Sequence, residues 1–172
     1  MEFQAWPKIP RLKNEKIVVT EKLDGTNACI AFSDDMEVYT CQSRSRIVKP
    51  GDDNYGFALW CSQNIEDLRK LGPGYHFGEW WGAGIQRRYG LAEKRFSLFN
   101  TARWNPDNPN KPDCCHVVPV LYEGPNNAEI IDALEKKLST SGSIAAPGFM
   151  DPEGFVVYNC LSRVMYKVPF GK

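Results

Sequence analysis

Lys22 stands in the segment Glu21-Lys22-Leu23-Asp24-Gly25-Thr26-Asn27, which sets an amine beside two carboxylates and an amide within one short strand-to-turn stretch. Such a segment offers covalent group transfer through a lysine. An amine attacks only as the free base, yet a free lysine has a pKa of about 10.4 and is almost wholly protonated at neutral pH. Glu21 and Asp24 alone favour the ammonium form, so a divalent metal, a neighbouring cation and desolvation are needed to release the free amine. A fixed K-x-D-G-x-N pattern arises by chance in about one chain per thousand of this length. The competing structural reading is a Gly25 hairpin turn in which Asp24 and Asn27 satisfy backbone groups.

The elements that must position this segment are legible as periodicities. Residues 16–20 are β-branched and lead into it, and 28–33 and 37–42 read as strands joined at Asp34-Asp35. Over 55–71, Phe57, Trp60, Cys61, Ile65 and Leu68 recur at helical spacing, and Gly72-Pro73-Gly74 ends that helix. Residues 75–81 and 95–101 read as strands, 105–112 as a surface loop, and 116–122 as a strand in spite of Pro119. Asn126 with Glu129 forms an expected capping box for a helix bearing Ile130, Ile131, Leu134 and Leu138, which the Ser/Gly-rich run 139–143 ends. A hairpin of 153–158 and 163–168 closes the chain. Hairpins interrupted by two helices predict an α+β fold of mostly antiparallel sheets with flanking helices. There is no G-x-x-x-x-G-K-[ST], so a bound nucleotide must be held in some other way.

Composition narrows the classes. A chain of 172 residues with 42% hydrophobic and 24% charged side chains suits one globular domain, expected over 1–172. The 21 basic and 21 acidic residues cancel, which disfavours a generic polyanion binder and leaves nucleic-acid contact to local patches. No apolar run is long enough to span a bilayer and the first eleven residues do not resemble a signal peptide, so a cytoplasmic location is the default expectation. The six cysteines show no C-x-x-C spacing and read as buried thiols. Cys114, Cys115 and His116 are adjacent, which does not suit convergence on one tetrahedral zinc.

Several motifs in one order resemble the covalent nucleotidyltransferases, the group of ATP-dependent DNA and RNA ligases and GTP-dependent capping enzymes. Glu21 to Asn27 looks like their first motif, Ser43-Arg44-Ser45-Arg46 the next, Phe77-Gly78-Glu79-Trp80-Trp81-Gly82 the third and Arg95-Phe96-Ser97-Leu98-Phe99-Asn100 its aromatic follow-on. Glu153-Gly154-Phe155-Val156-Val157 and Met165-Tyr166-Lys167-Val168 look like the last two. Asn27, where DNA ligases and capping enzymes usually carry Arg, is similar to RNA ligases of the second bacteriophage T4 type.

That resemblance implies a nucleotidyltransferase (ATP-grasp-like) fold and an ATP-dependent RNA ligase, with Lys22 as the nucleophile that forms lysyl-AMP and Mg2+ (or Mn2+) as metal. The AMP would pass to an RNA 5′-phosphate, and a 3′-hydroxyl would complete the phosphodiester, as in RNA repair. It implies nucleotide contacts from Glu21, Asp24, Gly25 and Asn27, a ribose contact from Glu79 and a metal-proximal carboxylate at Glu153. Phe99, or failing it Phe96, would stack on adenine. Arg44, with Arg46 as competitor, would meet AMP or the acceptor 5′-phosphate, and Lys167 would neutralise the α-phosphate. Two departures stand out. Relatives commonly carry two lysines in the last motif, whereas Met165 and Pro169 flank Lys167 here, which leaves the clamp weakened or completed by Arg163 or Lys172. Many relatives also add a further domain after it, so a bare catalytic domain is expected, with a nicked duplex as one candidate substrate and room for an accessory protein. Substrate grip would then fall to Arg87-Arg88, Lys94-Arg95 and Arg103, with Trp80, Trp81 and Trp104 as base stackers or core anchors. The alternatives are a minimal DNA nick ligase and a nucleotide or nucleic-acid binding module that has lost ligation.

Overall fold

β1 (Lys16–Lys22) sets the geometry of the molecule through its pleat: Ile17, Val19 and Glu21 are buried, while Val18, Thr20 and Lys22 point to the other face. In this computed structural model, which describes residues 1–9 and 15–170, Ile17 and Val19 pack with Phe155 and with Leu138 of a helix behind the sheet. That helix is α3 (Ala128–Ser141), and Ile131 and Leu134 extend the same apolar stripe. Its cap is Asn127 rather than the expected Asn126: the Asn127 side chain accepts from the Glu129 N–H. Asn126 instead binds Glu15 through both its backbone and its side chain.

Among the described residues the strands form two sheets. One has the order β10 (Met165–Pro169), β9 (Gly154–Asn159), β1, β8 (Val120–Pro125), and all its neighbours are antiparallel. The other runs β4 (Ile47–Val48), β3 (Tyr39–Ser43), β2 (Thr26–Phe32), β5 (Gly74–Gly82), β6 (Lys94–Leu98), β7 (Cys115–Val117), with only β6 and β7 parallel. The α+β architecture of mostly antiparallel sheets is therefore present. The strand expected over 116–122 is two strands in different sheets: proline has no N–H to continue a ladder, and the chain changes sheet at Val118-Pro119. The Pro119 carbonyl accepts the Glu21 N–H at 3.0 Å, which ties this crossing to the end of β1.

The larger core lies on one face of the six-stranded sheet, where Ala28, Ile30, Trp80, Phe96 and Leu98 meet Phe57, Ala58, Cys61 and Leu68. The helix expected over 55–71 is broken into α1 (Phe57–Gln63), α2 (Ile65–Leu68) and a 3-10 turn (Arg69–Leu71). Asn64 breaks it, because its side-chain amide donates to the Trp60 carbonyl at 2.9 Å and competes with the regular ladder. No helix of the described residues is long and apolar enough to cross a membrane.

Candidate active site at the junction of the sheets

β1 ends in one sheet and β2 begins in the other, so residues 22–26 occupy the junction. Lys22 is the last residue of β1 and lies opposite Gly154 at the start of β9, which brings the neighbouring Glu153 to it. Nζ of Lys22 donates to Oε1 of Glu153 at 2.7 Å, and both side chains are about three-quarters buried. On the other side, β5 lies antiparallel to β2 with Glu79 opposite Asn27, and the Gly25 N–H donates to Oε2 of Glu79 at 3.3 Å. Gly25 is required there: a Cβ would stand 2.3 Å from the Trp80 carbonyl oxygen. The Glu79 carboxyl is pushed up to about 7, chiefly by burial, with the Gly25 N–H and the Lys22 charge pulling against it. Each of these two carboxylates leaves one buried oxygen without a partner among the described residues, Oε1 of Glu79 and Oε2 of Glu153.

Asp24 meets Arg87 of the β5–β6 loop, Oδ2 to Nη1 at 2.8 Å, and its N–H donates to the Tyr89 hydroxyl at 2.8 Å. Glu21 does not join them. Its carboxylate is buried on the opposite face of β1 and accepts from the Ser143 hydroxyl at 2.7 Å and the N–H groups of Ile144 and Ala145 at 2.6 and 3.1 Å. The side-chain nucleotide contact expected of Glu21 is therefore corrected to a structural tie: pleat alternation sends residues 21 and 22 to opposite faces.

The chain that builds this lysine among carboxylates is matched over residues 15–169 by a family model described as RNA ligase. The chain belongs to the RNA ligase family. Solved structures of Naegleria gruberi RNA ligase share this fold. One variant with ATP and Mn superposes with a TM-score of 0.68 at 21% identity, covering 91% of this chain and 50% of that one. A second variant with ATP and Mn gives 0.68 at 23%, over 91% and 50%, and the complex with PPi gives 0.66 at 23%, over 91% and 50%. The chain thus spans about half the length of these structures. No curated protein matches it.

Around the RNA ligase junction, Phe99 follows the end of β6, exposed, with its N–H on the Phe77 carbonyl at 3.0 Å. Phe96 is fully buried against Phe57 and Trp60, so it is core and not the alternative adenine platform. Trp80, Trp81 and Trp104 are also buried, as anchors rather than base stackers. Exposed Asn27 shares a register position with Glu79. Arg44 lies exposed in the β3–β4 turn, whereas Arg46 is tied to Asp52 and to the Asp53 carbonyl. Lys167 is exposed on β10 opposite Val156, which itself lies opposite Thr20, so Lys167 shares the sheet face of Lys22. Arg163 belongs to the far turn of that hairpin, about 17 Å along β9 from the Lys22 end, and does not complete the phosphate clamp. Lys172 lies outside the described residues. Sequence reasoning missed two features: Glu153 as the direct partner of Lys22, and Arg87 as a residue of the junction. Arg87 was legible as a basic residue, but only strand register and loop packing place it.

Proposed function

We propose that this RNA ligase family member is an ATP-dependent RNA ligase whose adenylyltransferase domain spans residues 1–172. The single observation that carries this reading is the Lys22–Glu153 contact at 2.7 Å with two unpartnered carboxylate oxygens beside it. Having given up its ammonium proton, Lys22 attacks the α-phosphorus of ATP as the free amine. An N–P bond forms, the bond from the α-phosphorus to the bridging oxygen breaks with its electron pair passing to pyrophosphate, and one proton leaves the nitrogen, for which Glu153 Oε1 is the nearest acceptor. The lysyl-AMP then yields AMP to an RNA 5′-phosphate, and attack by a 3′-hydroxyl joins the strands and releases AMP.

Roles follow from position. Glu79, with Oε1 free, would accept from a ribose hydroxyl, Gly25 lets the backbone pass close to β5, Phe99 offers its exposed ring to adenine, and Arg44 and Lys167 offer cations to phosphate. Asp24 and Asn27 frame the turn. No group of three or more metal-ligating side chains occurs among the described residues, which suits Mg2+ or Mn2+ held by one or two carboxylates together with substrate phosphates. Glu153, through its unpartnered Oε2, is the residue that would hold the ion. When bound, such an ion supplies positive charge against the triphosphate.

Incubation with α-labelled ATP and magnesium, followed by denaturing electrophoresis of wild type and Lys22→Ala, tests the reading. A covalent label present in the first and absent in the second supports it; an unlabelled, folded wild type, free of prior adenylylation by mass, sinks it. Joining of RNA but not DNA nicks then separates RNA from DNA ligation.

A further inference from the structure

The junction sets Asp24, Glu79 and Glu153 around a single lysine. Lys22 must lose its proton to react, and the last motif offers Lys167 with Met165 and Pro169 at the flanking positions. Asp24, Glu79 and Glu153 meanwhile act on one another electrostatically around Lys22. A polyphosphate bound beside Lys22 therefore lies close to negative charge.

Arg87 is placed to answer this. It lies in the β5–β6 loop, where Gln86, Arg88 and Tyr89 adopt φ of +45, +64 and +55°. Tyr89 fastens the loop: its ring packs on Trp81 and Phe149 at 5.0 and 4.7 Å, and its hydroxyl accepts the Asp24 N–H. The loop is thus anchored by a packed aromatic, and the guanidinium is held on Asp24, which follows Lys22 by two residues. Nη1 sits 2.8 Å from Asp24, Nε sits 3.5 Å from Asp151, and the Glu153 charge is felt as well. The side chain is still 28% exposed, so solvent and ligand reach it, and Nη2 makes no hydrogen bond among the described residues. Arginine forks bind phosphate in two-point fashion, and a carboxylate such as Asp151, 79% exposed, is an exchangeable occupant of that fork.

We propose that Arg87 is a further phosphate-binding cation of the active site beside Arg44 and Lys167, exchanging its contact with Asp151 for a phosphate that the single lysine of the last motif leaves unneutralised. This rests on the ligase reading for its biological phosphate, which is either the pyrophosphate half of ATP or the 5′-phosphate of the RNA. A charge-assisted hydrogen bond of this kind corresponds to about 10- to 100-fold in affinity.

The test uses the whole chain as wild type, Arg87→Ala and Arg87→Lys. Thermal-shift titration with pyrophosphate, with adenosine as the phosphate-free control, gives the first arm. Fluorescence anisotropy with one RNA carrying either a 5′-phosphate or a 5′-hydroxyl gives the second. Arg87→Ala is expected to lose about 10- to 100-fold for pyrophosphate, or to lose the preference for the 5′-phosphate, with partial recovery in Arg87→Lys and adenosine affinity unchanged. Loss in the first arm assigns Arg87 to ATP, and loss in the second assigns it to the RNA end. Folded Arg87→Ala that keeps both preferences overturns the proposal, as does an equal loss of adenosine, which would mark Arg87 as a structural tie. Wild type that binds phosphate through Arg87 but takes no label from ATP would break the ligase reading and leave the phosphate site standing.

Discussion

Glu21 and Lys22 are chain neighbours on β1, yet the regions behind and before that strand are built on opposite principles. Behind it, the Glu21 carboxylate is buried and saturated by one hydroxyl and two N–H donors of the 143–145 loop. Before it, Glu79 is nearly as enclosed and Glu153 less so, and each keeps one buried oxygen without a partner among the described residues. A buried polar group left unpaired costs stability unless something else satisfies it. The saturated carboxylate is therefore the structural one, and the unsaturated pair is where we propose that a ligand binds.

Four substitutions sharpen or break that contrast. The largest effect falls on Lys22: Lys22→Met should lower covalent labelling by ATP by on the order of a thousandfold or more, because no other group supplies the N–P bond, while melting temperature changes little. Labelling retained in that variant would move the nucleophile elsewhere. Behind the strand, Glu21→Ala should cost about 3 kcal/mol by leaving its donors unpaired, which is a fall in melting temperature of about 6–12 °C. An unchanged melting curve would show that the loop does not depend on Glu21. Phe99→Ala should weaken ATP binding by about tenfold, the scale of one aromatic stacking contact, and titration with ATP and with pyrophosphate should show loss for the first alone.

The smallest effect concerns pH. Burial raises Glu79 from 4.5 to about 7, so the native state binds a proton that the unfolded chain has released between those values. Its contribution is present below pH 4.5 and is lost as pH rises through 7. Glu79→Gln removes that loss, so the melting temperature of Glu79→Gln minus that of wild type should increase from pH 5 to pH 8. A difference independent of pH would mean that Glu79 is ionised in the fold throughout.

How much of this was legible in the chain varies with the kind of interaction. The strands around Lys22 announce themselves because a period of two is local, and the first motif is visible because it is contiguous. Breaks in elements were harder to see. Asn64 and Pro119 act through a side-chain hydrogen bond and a missing donor, and only the partners available in space decided that one interrupts a helix and the other sends the chain into a second sheet. Likewise Phe96 and Phe99 differ by an odd step in the sequence, which predicts opposite faces of a strand, but packing against Phe57 was needed to say which is core.

The sequence by itself determined the α+β class and the order of the motifs, and it singled out Lys22 as the amine we propose to be reactive, since all of these depend on residue type and short-range spacing. Tertiary structure alone decided that Glu153, 131 residues away, is the partner of Lys22, that Glu21 belongs to the loop behind the strand, and that Arg87 meets Asp24 at the junction. Contacts between distant segments are set by sheet register and packing, and a linear pattern does not encode either until the chain has closed on itself.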